Sequence, residues 1–240
     1  MIDHGPLSDA CANGKILPLY ILEPNLWKQP DVSYRHFLHL QHYLSQLDGM
    51  FIERGAKLVI KVGEALPVLK SLATRHNVKA IFSHYETWNK FSKDRDSAIR
   101  KWTDENSIDW KEYQQNGVVR NLNSRDGWST LWHSHMRKKI YDVPEKILCV
   151  SEDSDNLPSC QDMSLEFDGF EPNSNLGKIE PGIVLKSFLT ERGENYQREM
   201  SGPLLSADSC SRLSTHIAFG TISIRTIFQR TQEHTQKRLD

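Results

Sequence analysis

The chain has 240 residues, 38% of them apolar and 25% charged, enough to bury a sizeable core and too ordinary for a collagen-like, mucin-like or fully disordered polymer. Its formal net charge of -1 announces no polyanion partner, so any nucleic-acid face has to be local. The apolar runs fall far short of the ~20 residues that span a bilayer. No secretory leader is visible, and Cys11, Cys149, Cys160 and Cys210 form no CxxC, so the expectation is reduced thiols in a cytoplasmic protein without a membrane partner.

In chain order, residues 15–22 form a short apolar run that predicts a buried strand. Residues 32–54 carry apolar side chains at helical spacing, among them Phe37, Leu40, Tyr43, Leu44, Leu47 and Phe51. A second strand is predicted over 56–62, a helix over 63–76 and a third strand over 78–83. A highly charged helix follows over 90–106, with Ile99 and Trp102 facing inward, and 108–113 reads as a fourth strand. Strand alternating with helix at this spacing predicts an α/β unit over 14–113, a three- to four-stranded parallel sheet covered by helices.

The character changes near Tyr141. Between 142 and 175, nine acids (Asp142, Glu145, Glu152, Asp153, Asp155, Asp162, Glu166, Asp168, Glu171) stand against one base, Lys146, and periodicity vanishes. That composition predicts a solvated acidic linker over 142–180, with a partner-binding acidic tail as the alternative. Helical patterning returns over 183–189, 211–219 and 223–233.

The most informative stretch lies in this last third. Ser209 and Ser211 precede an apolar helical run, and either can cap a helix. Free amides, hydroxyls and the positive end of a helix dipole suit an anion such as a pyrophosphate. Arg212 adds a fixed positive charge, and the Tyr196 phenol lies upstream where it could reach the same group. Simple capping remains open beside phosphate binding.

Ser211-Arg-Leu-Ser-Thr-His-Ile217, followed by Gly220-Thr-Ile-Ser-Ile-Arg225, resembles the opening of the flavin-binding helical domain of the DNA photolyase and cryptochrome family. Thr215 stands where that family usually has Pro. Residues 14–24, 31–35 and 118–128 resemble further stretches of the same family, so the likeness runs over almost the whole chain. It implies a Rossmann-like α/β antenna-type domain over 1–141, the linker over 142–180, and the start of a helical FAD-binding domain over 181–240. By resemblance, Tyr196, Ser209, Cys210, Ser211, Arg212, Leu213 and Ser214 are the FAD-binding candidates. Glu86 and Asn89, in the loop after the third strand, are candidates for an antenna chromophore of pterin or deazaflavin type.

The same resemblance implies blue-light-driven, flavin-dependent repair of pyrimidine dimers in UV-damaged DNA, a carbon–carbon lyase reaction, or light sensing. The family's first strand, with its Trp-Phe-Arg-x-Asp-Leu-Arg motif, has no counterpart here, and the half that completes the flavin cradle is also missing. The chain is therefore expected to be inactive alone, to bind FAD weakly and to self-associate through an exposed sheet edge. The alternative is a non-enzymatic α/β domain that binds an antenna chromophore or a protein partner. A third reading is a nucleotide-binding α/β protein of another kind, although no P-loop, GxGxxG or GxSxG is present. His36, His39 and His42, three apart on one helix, read as a partly exposed face rather than a metal site.

Overall fold

The computed structural model describes residues 1–169 and 179–239. Of these, residues 1, 3–118 and 141–169 form one compact unit, and residues 2, 119–140 and 179–239 form a second.

The first unit is a mixed α/β body. It opens on α1 (Gly5–Asn13), where Pro6 suits the first turn and His4 Nδ1 accepts the Leu7 amide at 3.0 Å. Then come β1 (Leu19–Leu22), α2 (Tyr34–Ile52), β2 (Val59–Val62), α3 (Ala65–His76), β3 (Ala80–His84), α4 (Lys90–Glu105) and β4 (Asp109–Tyr113). α2 turns Phe37, Leu40, Tyr43, Leu44 and Phe51 inward, as its 3.6-residue spacing requires. α3 ends on Asn77, which takes the left-handed conformation at φ 49° and stops the helix. α4 starts at a capping box, in which Asn89 Oδ1 accepts the Ser92 amide and Ser92 Oγ accepts the Asn89 amide.

All strand pairing is parallel, as the alternation predicts, but the strands do not join into one sheet. β1 pairs with β2, Leu19 opposite Val59, and β3 pairs with β4, Ala80 opposite Asp109. One core nevertheless serves both pairs: Ile21 of β1 and Ile81 of β3 pack against Ala65, Ile99, Trp102 and Ile108. On β4, Trp110 faces this α3–α4 layer, while Tyr113, three residues on and so on the opposite face, donates its hydroxyl to Asp9 of α1 at 2.6 Å. Helices thus cover both faces of the β3–β4 pair.

The acidic stretch does not stand off in solvent over its described part, residues 142–169; residues 170–178 lie outside the described residues. Ile147 is 1% exposed, and the Ile147 amide donates to Arg54 O at 2.9 Å. Ile16 bridges to this stretch, donating to Leu148 O and accepting from Val150 N. The outer edge of β2 is then closed by it: Ile60 N donates to Ser154 Oγ (3.0 Å), Val62 N to the Asp155 carboxylate (2.8 Å), and Asp155 N to Ile60 O (2.8 Å). Further on, Asp168 pairs with Arg35 at 2.7 Å and Phe167 packs edge-on to Tyr34. Glu152, Asp155 and Asp168 are held because basic residues of the α/β body meet them, a long-range match that local composition does not encode.

The second unit contains α5 (Trp128–Met136), α6 (Pro181–Thr190), a 3-10 turn (Arg192–Asn195), α7 (Tyr196–Glu199), α8 (Ser206–Ser209), α9 (Ser214–Ala218) and α10 (Ile224–Leu239). Its core includes Leu185, Leu213 and Ile222, with Val184, Leu189 and Ile227 packed around them. None of the described helices is long and apolar enough to cross a membrane, and none of the four cysteines is in a disulfide.

Candidate functional site

The stretch whose serines were read as helix caps links two short helices through a turn, from Ser209 to Ser214. Ser209 is the last residue of α8, 2% exposed, and its hydroxyl donates to Leu205 O at 2.9 Å. Cys210 is extended (φ -81°, ψ 159°), Arg212 is left-handed (φ 61°), and Leu213 is right-handed (φ -94°, ψ -6°). α9 begins only at Ser214, with no side-chain cap. Neither Ser209 nor Ser211 is therefore the helix cap that the pattern suggested.

A left-handed residue followed by a right-handed one turns consecutive N–H groups to the same side, the concave arrangement known as an anion nest. Here it is Arg212 and Leu213 that form it. Among the described residues, the amides of Ser211, Arg212, Ser214 and Thr215 find no backbone or side-chain acceptor. The Leu213 amide reaches Ser211 Oγ only at 3.5 Å. The Arg212 guanidinium is exposed and tethered through Nε to Ala207 O at 2.6 Å. Leu213 points the other way, 3% exposed in the core, and fixes the turn onto the body. Tyr196 opens α7 and packs edge-on against Phe188, centroids 5.7 Å apart.

Arg192 lies in the informative last third of the sequence but carried no assigned role there. Its guanidinium donates from Nε to Ser187 Oγ (3.0 Å), from Nη1 to Asp208 O (3.2 Å) and Cys210 O, and from Nη2 to Val184 O (3.1 Å) and Ser211 O (3.3 Å). Beside it, Gly193 admits no larger residue: a Cβ there would meet the Phe188 carbonyl oxygen at 2.5 Å.

The antenna candidates lie at the carboxyl end of β3, the side of a parallel sheet where ligands gather. Glu86 is exposed and accepts the Thr87 amide at 2.8 Å. Asn89 caps α4 and donates Nδ2 to Asp31 at 3.0 Å. Nearby, Glu23 at the end of β1 is 3% exposed and joins two elements, accepting the Ala65 amide (3.0 Å) and Arg95 Nη1 (2.8 Å). Two open hollows of about 340 and 330 Å³ are lined by Leu122, Arg125 and Trp128 and by Glu53, Arg54 and Pro144; no residue from 196 to 214 lines either. Among the described residues, no group of three or more His, Cys, Asp or Glu side chains could hold a metal ion.

Residues 1–126, just over half of the chain, match the family model for DNA photolyase. The whole chain is similar to a chloroplastic/mitochondrial cryptochrome DASH of Arabidopsis thaliana, at 22% identity and covering 46% of that protein. Over 78% of its length it is similar to a deoxyribodipyrimidine photo-lyase of Halobacterium salinarum, at 23% identity and covering 41% of it. In structure it is similar to an archaeal photolyase from Sulfolobus tokodaii with two FAD molecules, with a TM-score of 0.67, 23% identity, and coverage of 96% of this chain and 52% of that one. The chain thus spans about half the length of the proteins it matches. On the family match over more than half of its length, this chain belongs to the DNA photolyase family.

Proposed function

We propose that the second unit binds the diphosphate of FAD at the turn 211–214, and that this is the chain's part in blue-light photolyase or cryptochrome chemistry. The observation that carries the reading is the nest at Arg212–Leu213, with acceptor-free amides on Ser211, Arg212 and Ser214. The donor set fits an anionic diphosphate: these amides, the Ser211 and Ser214 hydroxyls, and the terminal nitrogens of Arg212. Ser209 and Leu213 act behind the turn, in packing, and Cys210 supplies a carbonyl to Arg192. Tyr196 is the candidate to flank the ligand.

When bound, FAD supplies the light-driven electron chemistry, and the protein contributes position and electrostatics. A Ser211→Ala, Ser214→Ala double variant should weaken FAD binding by about tenfold or more, since a hydrogen bond to a charged group contributes about 1.5–3 kcal/mol. Fluorescence titration with FAD reads this directly; equal affinity of variant and unaltered chain would remove the two hydroxyls from the site.

On this reading the chain alone binds FAD weakly and does not repair DNA. The turn is built from one short stretch whose Arg212 and Ser214 lie at the surface, and a flavin needs most of its area covered to be held tightly. Residues 191–240 carry seven Lys or Arg against six Asp or Glu, which gives little attraction to UV-damaged DNA. With reduced flavin, dimer-containing DNA and blue light, dimer content should stay at the no-protein level; light-dependent loss would overturn this part of the reading. An antenna chromophore of pterin or deazaflavin type near Glu86 and Asn89 belongs to the same proposal, supported by their place at the carboxyl end of β3. So does self-association through unpaired strand edges.

A further inference from the structure

We propose that Arg192 is the positioning residue of the phosphate turn, an inference that rests on the reading of 211–214 as a phosphate site. Its guanidinium gathers the carbonyls of Asp208, Cys210 and Ser211, three of the four residues that lead into the nest. A trans peptide sets each carbonyl opposite the next residue's N–H. Drawing the Cys210 and Ser211 oxygens toward Arg192 therefore turns the Ser211 and Arg212 amides away from it, into the open concavity. Without that pull the carbonyls would be free to face the concavity, and their negative ends would repel a phosphate. The other two bonds, to Val184 O and Ser187 Oγ, anchor the guanidinium on α6. Only a planar fork with five N–H donors reaches this set of acceptors; lysine carries the same charge on one ammonium group. Gly193 sets the place of the fork, because any side chain there strikes the Phe188 carbonyl.

The test uses inorganic pyrophosphate as the probe on the full chain, with affinity read from amide shifts. Arg192→Lys keeps the charge and is expected to weaken pyrophosphate binding about tenfold, with Gly193→Ala acting in the same direction through displacement of the turn. Leu189→Ala, which loosens the same core and leaves every hydrogen bond of the turn in place, serves as the stability control; its melting temperature should fall as far as that of Arg192→Lys while affinity holds. Binding by Arg192→Lys at the unaltered strength overturns the positioning role, and so does an equal loss in Leu189→Ala, which would reduce Arg192 to a packing residue. Absence of pyrophosphate binding by the unaltered chain overturns the phosphate reading itself and the role of Arg192 with it.

Discussion

Replacing Glu152 with Gln should lower the stability of the α/β unit by roughly 2 kcal/mol at neutral pH, the largest effect expected of any single change in the acidic stretch. The Glu152 side chain is only 4% exposed, and three basic groups converge on it: Lys61 Nζ at 2.9 Å, Arg75 Nη1 at 2.6 Å and His76 Nε2 at 2.6 Å. Lys61 lies on β2, and Arg75 and His76 are in the last turn of α3, so one carboxylate joins strand, helix and strap. The partners are partly open to solvent, which keeps the figure below that of a fully buried pair.

Hydrogen bonds from His76 and Lys61 are the main causes that hold the Glu152 carboxyl at about 2, below its ordinary 4.5. A depressed carboxylate stabilises the fold above its unfolded value and ceases to do so as pH falls through the folded one. The difference between the unaltered chain and Glu152→Gln should therefore be full above about pH 4.5 and close as pH drops toward about 2. Denaturant melts across that range measure it; a gap that stays constant with pH would mean that the carboxylate charge is not what holds the strap.

Association of the purified chain, rising with concentration, is the second large effect expected. The outer edge of β2 is closed by Ser154 and Asp155, and the Trp110 carbonyl on β4 accepts from Arg100 at 3.0 Å. The other edges differ. Among the described residues β1 has β2 as its one strand neighbour and β3 has β4, so the amides of Leu19 and Ile21 and those of Ala80 and Phe82, which alternate away from the paired side, meet no described strand. Such edges recruit a strand from another molecule. Sedimentation should give a mass that grows with concentration, while hydrogen exchange slows at these four amides. A monomer at all concentrations, with exchange at those positions unchanged, would show that the edges are not adhesive.

The elements of the α/β unit were legible because their signals are local. Apolar runs marked all four strands, and 3.6-residue spacing marked α2, α3 and α4 to within a few residues. What stayed hidden depends on partners far along the chain. Nothing local in the acidic stretch announces that Lys61 and Arg75 await Glu152, or that Arg35 awaits Asp168. The turn at 211–214 was legible as a motif while its serines were misread as helix caps, since the left-handed conformation of Arg212 is atypical of its residue type. Arg192 escaped notice because its five acceptors are backbone and hydroxyl oxygens, which leave no mark on residue pattern. Asn89, read as an antenna ligand by resemblance, also has the local signature of a helix cap, and its side chain takes that role in the fold.

An amide chemical-shift titration of the full chain with FAD tests the central claim most directly. Weak, saturable binding is expected, with the amides of Ser211, Arg212 and Ser214 moving first and furthest, and with pyrophosphate reversing the shifts. Shifts that leave these three amides untouched while FAD binds elsewhere, or no saturable response at all, would contradict the assignment of the turn as the flavin-phosphate site.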